Sequence, residues 1–253
     1  MLLAIDIGNT NIVLGVLDDN NLTVSGRLST NIYETDEEYA MKLYSFLRLH
    51  KALDISGAII SSVVPALIET FKSAVKIVTG QDSLVVGPGI KTGLSIKIDD
   101  PAQLGADLVV GAVAEKEKYP CPIIIFDLGT ATTGSVLDKD GNFIGGIITS
   151  GVKTSMNTLA SGTALLPQIE ITAPKNIIGR NSIDSMKSGA VIGTAVMLDG
   201  FVDRIEEELG EKATVVITGG LGDSIANNCR HELIIDNDLL LDGLKIIYDK
   251  NKE

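Results

Sequence analysis

Histidine and cysteine are scarce in this sequence of 253 residues, with two of each. A zinc site of the His/Cys type and a Ser-His-Asp hydrolase both need more, or better placed, residues of these kinds. Neither is indicated, and we expect His50 and His231 on solvated surface. Cys121 and Cys229 make no disulfide framework, so a reducing compartment, the cytoplasm, is expected.

Positive charge is also in short supply, with 21 Lys and Arg against 33 Asp and Glu and a net charge of −12. This balance argues against a nucleic-acid partner or an anionic membrane surface. An anionic substrate must then be held by backbone amides, a metal ion or a few basic side chains.

Long apolar runs are missing as well, and no stretch approaches the length of a membrane span. Asp6 and Asn9 interrupt the apolar N-terminus, which has no basic leader, so no signal peptide is expected. With 45% hydrophobic residues and 26 glycines, the composition is typical of a globular α/β protein.

Two stretches, residues 5–18 and 126–138, have nearly the same pattern. Each has an apolar strand with an aspartate near its end (Asp6 or Asp127), a glycine two positions later, small polar side chains and a second strand. This predicts a β-hairpin with bare backbone amides beside a carboxylate. Glycine lets amides approach a phosphate, and the carboxylate would repel phosphate unless a cation lies between them. The alternative is two ordinary hairpin turns with side-chain hydrogen bonds to the backbone.

The elements around the first stretch follow the order βββαβα, which is that of one half of an actin-like ATPase core. A turn at Asp18–Asn21 connects the second and third strands. Strands are predicted over residues 2–7, 12–17, 22–28, 57–64 and 83–86. Helices are predicted over residues 36–49 and 66–79. Because strands restart at residue 123, we predict an α/β protein with duplicated actin-like (ribonuclease H-like) ATPase domains, about 1–118 and 119–253, and a nucleotide cleft between them.

Two further motifs fit this interpretation. Thr218-Gly219-Gly220 follows a buried strand, and a backbone without side chains could lie there against adenine or ribose. Asp107 begins a helix, where the dipole keeps a carboxylate ionised. It is either a plain N-terminal cap or a general base that takes a proton from an acceptor hydroxyl.

The motifs of this chain resemble those of type III pantothenate kinases, in the acetate/sugar kinase, Hsp70 and actin superfamily. The resemblance covers essentially the whole chain. The motifs that carry it occur in the family's order at residues 6–11, 105–107, 127–133, 145–146, 179–182 and 218–220.

The resemblance implies ATP-dependent phosphorylation of pantothenate to 4'-phosphopantothenate, the first step of coenzyme A biosynthesis. It also implies Mg²⁺, a monovalent cation (K⁺ or NH₄⁺) and a homodimer with the acceptor site at its interface. Asp107 would accept the proton, Asp127 would bind the monovalent cation, and Asp6 would face Mg²⁺. The implied ATP contacts are Asp6, Ile7, Gly8, Asn9, Thr10, Asn11, Ile12, Val13 and Thr130. The implied pantothenate contacts are Gly105, Ala106, Asp107 and Leu108, with Ser182 contributed across the dimer.

The chain departs from the family pattern at four positions. Leu108 stands where the family has Arg, and Ile98 where it has Tyr. Ser150 replaces a Pro, and Ser182 replaces a Thr but keeps the hydroxyl. Losing the Arg removes a cation suited to a carboxylate. Three interpretations therefore stay open: a pantothenate kinase that binds its substrate differently, a kinase of another small alcohol, or a non-catalytic nucleotide-binding regulator.

Overall fold

The computed structural model describes residues 1–19 and 21–252, and it contains two compact units. The first unit comprises residues 1–94, 99–117 and those from Asp238 onward, and the second comprises 95–98 and 118–237. Asn20 of the predicted turn at Asp18–Asn21, and Glu253, lie outside the described residues. The predicted halves at 1–118 and 119–253, and the cleft between them, remain predictions.

A five-stranded sheet forms the centre of the first unit. The first three strands are antiparallel neighbours, and the fourth and fifth add in parallel, in the order β3-β2-β1-β4-β5. The strands are β1 Leu2–Ile7, β2 Asn11–Asp18, β3 Asn21–Ser29, β4 Gly57–Ser62 and β5 Ser83–Val85. Its helices are α1 Asp36–Leu49, α2 Ile68–Thr79, α3 Ala106–Lys118 and α7 Leu239–Asn251. The predicted order βββαβα is confirmed.

Both faces of the first sheet are covered, which is why every residue of β1 is buried and all of them except Asp6 are apolar. Alternate residues of β1 (Leu3, Ile5 and Ile7) pack in one core with α1 and α2, where Tyr39 and Phe71 are fully buried.

Helix α7 packs on the opposite face of this sheet, where two glycines allow its side chains to come close. A Cβ on Gly15 would lie 2.8 Å from Leu241, and one on Gly57 would overlap the Tyr248 hydroxyl. Helix α7 in turn contacts α3, where a Cβ on Gly243 would lie 2.1 Å from the Val110 carbonyl. Glycines therefore set how closely the sheet, α7 and α3 approach one another.

The sheet of the second unit repeats the topology of the first. Three antiparallel neighbours are joined by two parallel strands, and one short strand is added at the edge, in the order β11-β10-β7-β8-β9-β6. The strands are β6 Ser95–Ile96, β7 Ile123–Leu128, β8 Ala131–Leu137, β9 Asn142–Ser150, β10 Thr214–Thr218 and β11 Ile234–Ile235. Its helices are α4 Val152–Ser161, α5 Ser182–Leu209 and α6 Gly222–Ala226.

Helix α5 is the longest element of the second unit, with 28 residues. The Asn181 side chain caps its N-terminus by accepting from the Asp184 amide, and Gly210, with φ of 76°, ends it. Its buried side packs with alternate residues of β7, such as Ile124 and Phe126, in the core of this unit. None of the helices in the described residues is long and apolar enough to cross a membrane.

Candidate active site

The first hairpin ends in a four-residue tip, Gly8–Asn11, beyond the last paired residues Ile7 and Ile12. The Gly8 amide donates to the Asn11 carbonyl at 3.0 Å, which closes the turn. A Cβ on Gly8 would lie 2.9 Å from that same oxygen, so the position requires glycine. The hairpin predicted from the sequence is confirmed.

Residue Thr30, which immediately follows β3, holds this tip from the side. Its hydroxyl donates to the Gly8 carbonyl at 2.7 Å, and its amide donates to the Thr10 carbonyl at 3.0 Å. Sequence reasoning missed Thr30, because the strand was predicted to end at residue 28. Pairing in fact continues to Ser29 opposite Asn11, which places the next residue beside the tip.

Asp6 lies at the end of β1 and is 6% exposed. Its register partner on β4 is Ser61, and the side chains of such partners point to the same face of a sheet. The Ser61 hydroxyl oxygen is buried and has no hydrogen-bond partner among the described residues. The sheet therefore presents a carboxylate and a hydroxyl oxygen together, and these are ligands of the type Mg²⁺ prefers.

The His, Cys, Asp and Glu side chains do not form a larger ligand cluster for such an ion in the part of the chain that the structure describes. In residues 1–19 and 21–252 no group of three or more His, Cys, Asp or Glu could hold a metal ion. A magnesium ion beside Asp6 would thus keep water and substrate phosphate oxygens as its other ligands, as this ion commonly does.

Asp107 lies in the first turn of α3, beside the ends of β1 and β4. A Cβ on Gly105 would lie 2.5 Å from the Asp107 carboxylate and 3.7 Å from the Val63 side chain. The Val63 amide in turn donates to the Ile7 carbonyl at 3.0 Å. Within the first unit the structure therefore brings the predicted base near the end of the strand that carries Asp6.

The environment of Asp107 favours a carboxyl group that can exchange protons. Burial raises the pKa of Asp107, and a 2.8 Å hydrogen bond from the Leu108 amide opposes this by stabilising the charged form. A carboxylate shifted upward in this way is a stronger base than one in water.

The second hairpin has the same plan with a shorter tip, Gly129–Ala131, beyond the pair Leu128 and Thr132. The Gly129 amide donates to the Ala131 carbonyl at 3.0 Å. The Thr130 carbonyl accepts two hydrogen bonds from the start of α4 and the residue before it. The donors are the Gly151 amide at 3.2 Å and the Thr154 hydroxyl at 2.8 Å.

The glycines after β10 lie against this second hairpin. Thr218 pairs with Asp127, and Gly219 follows with φ of 96°, a left-handed conformation that favours glycine. A Cβ on Gly219 would lie 2.9 Å from the Asp127 carboxylate and 2.7 Å from the Leu128 carbonyl. Two motifs that lie far apart in the sequence are therefore neighbours in this unit.

The remaining residues implied by the resemblance are placed as follows. Leu108 is half-buried on α3 and Ile98 is half-buried in the second unit, while Ser182 is exposed at the first position of α5. No described hydrogen bond joins Ser182 to the second hairpin.

Comparison with known proteins then decides the family. A sequence profile described as type III pantothenate kinase matches residues 2–204. The chain belongs to the type III pantothenate kinase family. A type III pantothenate kinase of Exiguobacterium sibiricum is 44% identical over the full length of both chains. Another, of Bacillus cytotoxicus, is 41% identical over 99% of this chain and 97% of its own. The resemblance drawn from the motifs is confirmed, and the chain is an ATP-dependent kinase of this family.

Solved structures support the fold of this family member. The activator of 2-hydroxyisocaproyl-CoA dehydratase from Clostridium difficile, with bound ADPNP, has a TM-score of 0.55 at 13% identity. The match covers 99% of this chain and 94% of that one. Component A of (R)-2-hydroxyglutaryl-CoA dehydratase from Acidaminococcus fermentans has a TM-score of 0.55 at 12% identity, over 99% of both chains. The two mixed sheets resemble actin-like ATPase domains, as predicted.

Proposed function

We propose that this family member transfers the γ-phosphoryl group of ATP to the hydroxyl of pantothenate and so forms 4'-phosphopantothenate, which leads to coenzyme A. The observation that carries the proposal lies within the first unit. A half-buried carboxylate with a raised pKa, Asp107, stands beside the strand end that bears the buried Asp6 and the glycine hairpin.

The first hairpin and Asp6 are assigned to the phosphates. The hairpin contributes ATP contacts through residues 6–13, with the backbone amide of Asn9 available to phosphate oxygens. Asp6, assisted by the Ser61 hydroxyl, would hold Mg²⁺ directly or through water. When bound, that ion neutralises charge on the phosphate oxygens.

Asp107 is assigned to the acceptor. It orients the hydroxyl and takes its proton as the hydroxyl oxygen bonds to the γ-phosphorus. The bond between that phosphorus and the bridging oxygen breaks, and ADP leaves with the electron pair. Positioning and electrostatics account for the catalysis, and no covalent intermediate is needed.

The second unit contributes Thr130 to ATP and Asp127 to a monovalent cation, K⁺ or NH₄⁺. The Thr218-Gly219-Gly220 backbone is assigned to the adenosine. Support comes from the left-handed Gly219 and its close approach to Asp127, which leave the backbone there free of side chains.

The acceptor pocket is assigned to residues 105–108 and, across a homodimer, to Ser182. Helix α5, which Ser182 begins, supports an interface: its exposed residues include Val196, and Gly189 and Gly193 face open space. Small residues on a long helix allow a second helix to approach closely. The proposed compartment is the cytoplasm, which suits two cysteines that form no disulfide.

A kinase of another small alcohol is the second candidate. The observation that favours it is the half-buried aliphatic Leu108 next to the base, because a leucine side chain cannot pair with the carboxylate of pantothenate as a cationic side chain would.

Coupled ADP release with purified protein, Mg²⁺-ATP and K⁺ tests both candidates. Pantothenate is expected to give saturable turnover above the rate with water alone. Turnover with other short alcohols but none with pantothenate would transfer the assignment to the second candidate. Nucleotide binding without transfer to any acceptor would instead indicate a regulator.

A further inference from the structure

We propose that Thr30 is a positioning residue for the first hairpin and that it aims the Asn9 amide at the nucleotide phosphates. The proposal rests on the proposed function in one respect, namely that this hairpin binds phosphate. It adds a role for a residue outside every motif that led to the family.

The argument begins with the geometry of a single peptide group. The Gly8 carbonyl and the Asn9 amide belong to the same trans peptide, so they point in opposite directions. The Thr30 hydroxyl donates to the Gly8 carbonyl at 2.7 Å and thereby fixes the carbonyl on the Thr30 side. The Asn9 amide must then point away from Thr30.

The same residue fixes a second peptide group of the tip. The Thr30 amide donates to the Thr10 carbonyl at 3.0 Å, and the Gly8 amide closes the turn onto the Asn11 carbonyl. Three of the four carbonyls of the tip, those of Gly8, Thr10 and Asn11, therefore accept hydrogen bonds. No hydrogen bond within the described residues occupies the backbone amide of Asn9, and Asn9 as a residue is exposed.

Thr30 can act in this way because the next residue is anchored in the core. The Asn31 amide donates to the Tyr39 hydroxyl at 3.0 Å, and that hydroxyl donates to the Asn31 carbonyl at 2.9 Å. Tyr39 is fully buried, and its ring centroid lies 4.4 Å from that of Phe71. The two hydrogen bonds of Thr30 thus connect the glycine tip to the packed core of α1 and α2.

The test compares Thr30→Val, Thr30→Ser and the control Thr79→Val. Thr79 is a part-buried threonine of the same unit whose hydroxyl donates to the Val75 carbonyl at 2.8 Å, away from the hairpin. Steady-state kinetics give separate KM values for ATP and pantothenate. NMR hydrogen exchange of the Gly8 amide without nucleotide, and the melting temperature, complete the set.

Thr30→Val is expected to raise the KM for ATP about five- to tenfold, as loss of one hydrogen bond predicts. The KM for pantothenate should stay unchanged, and the Gly8 amide, whose hydrogen bond to the Asn11 carbonyl closes the turn, should exchange faster. Thr30→Ser should restore both values, and Thr79→Val should behave as wild type apart from its melting temperature.

Three results would overturn the role of Thr30 while leaving the kinase assignment intact: an unchanged KM for ATP in Thr30→Val, an equal rise of both KM values, or no rescue by serine. If the wild type binds ATP but does not phosphorylate pantothenate, the proposed function fails. The dissociation constant for ATP, measured by calorimetry on the same variants, then still decides the role of Thr30.

Discussion

The two hairpins share a strand plan but differ in what stands beside them. The first adjoins the start of α3, where Asp107 is half-buried, and its tip is held by a threonine side chain. The second is held by the start of α4, which has no acidic residue in its first turn. The comparison supports the proposal that the base lies in the first unit, because the start of α4 offers no carboxylate to the second hairpin.

Removing the acid should have the largest effect. Asp107→Asn keeps the shape but cannot accept a proton, so kcat should fall about 10²- to 10⁴-fold with nucleotide binding little changed. Asp36→Asn, in the first turn of α1, is a matched control and should stay at the wild-type rate. Undiminished turnover in Asp107→Asn would remove the main distinction between the two units.

Replacing each hairpin aspartate with asparagine in a separate variant tests whether the two hairpins bind different ions. Asp6 is the more buried of the pair, so its charge is less screened and its loss should cost more. We expect Asp6→Asn to lower kcat/KM about 10- to 100-fold and to raise the Mg²⁺ requirement. Asp127→Asn should chiefly shift the K⁺ or NH₄⁺ dependence. Titrations of each ion would show the opposite pattern if the roles were reversed.

The pH profile should report Asp107, because burial raises its pKa above the usual value of about 4. As pH falls through the raised pKa the base becomes protonated, and kcat/KM should drop about tenfold per pH unit. The contribution of Asp107 to stability changes with pH in the opposite direction. The folded state binds this proton more tightly, so the contribution of Asp107 to stability is lost as pH rises through the same range. Parallel activity and unfolding curves for wild type and Asp107→Asn check both signs, and identical curves would contradict them.

The residues that hold the two hairpin tips should differ in how well they tolerate an added methyl group. A Cβ on Gly151 would lie 2.4 Å from both the Gly129 and Thr130 carbonyls, so Gly151→Ala should destabilise the protein by about 1–3 kcal/mol. Gly151 follows the third antiparallel strand of its sheet, and the corresponding residue in the first unit is Thr30, which already carries a side chain. Gly87→Ala, in open space, serves as the control in chemical denaturation. Equal stability of the Gly151→Ala and Gly87→Ala variants would contradict the predicted clash at Gly151.

The smallest effect is expected at the strand residue that follows each tip. Ile12 in the first unit corresponds to Thr132 in the second, whose buried hydroxyl has no hydrogen-bond partner among the described residues. Thr132→Val keeps the shape and removes that polar group, so the free energy of unfolding should rise by about 1 kcal/mol. A loss of stability in denaturant titration would show that the hydroxyl is satisfied in solution.

Much of this architecture could be predicted because strand alternation and Asp-Gly spacing are local signals. They gave both hairpins and the order of elements in the first unit. The support from Thr30 could not be predicted in this way, because it depends on the register between β2 and β3. The sheet against which α7 packs could not be predicted either, because the apolar stripe of an amphipathic helix does not specify which sheet it will cover.

The packing of α7 on β1 has a consequence for folding. Strand β1 is covered by a helix that lies far away in the sequence, and Leu241, Leu244 and Ile247 are buried in the finished fold. This side of the first sheet is therefore shielded only after contacts of very large sequence separation have formed, and such contacts form slowly. The second unit is contiguous apart from one short segment, so its sheet should be protected from solvent sooner than that of the first unit.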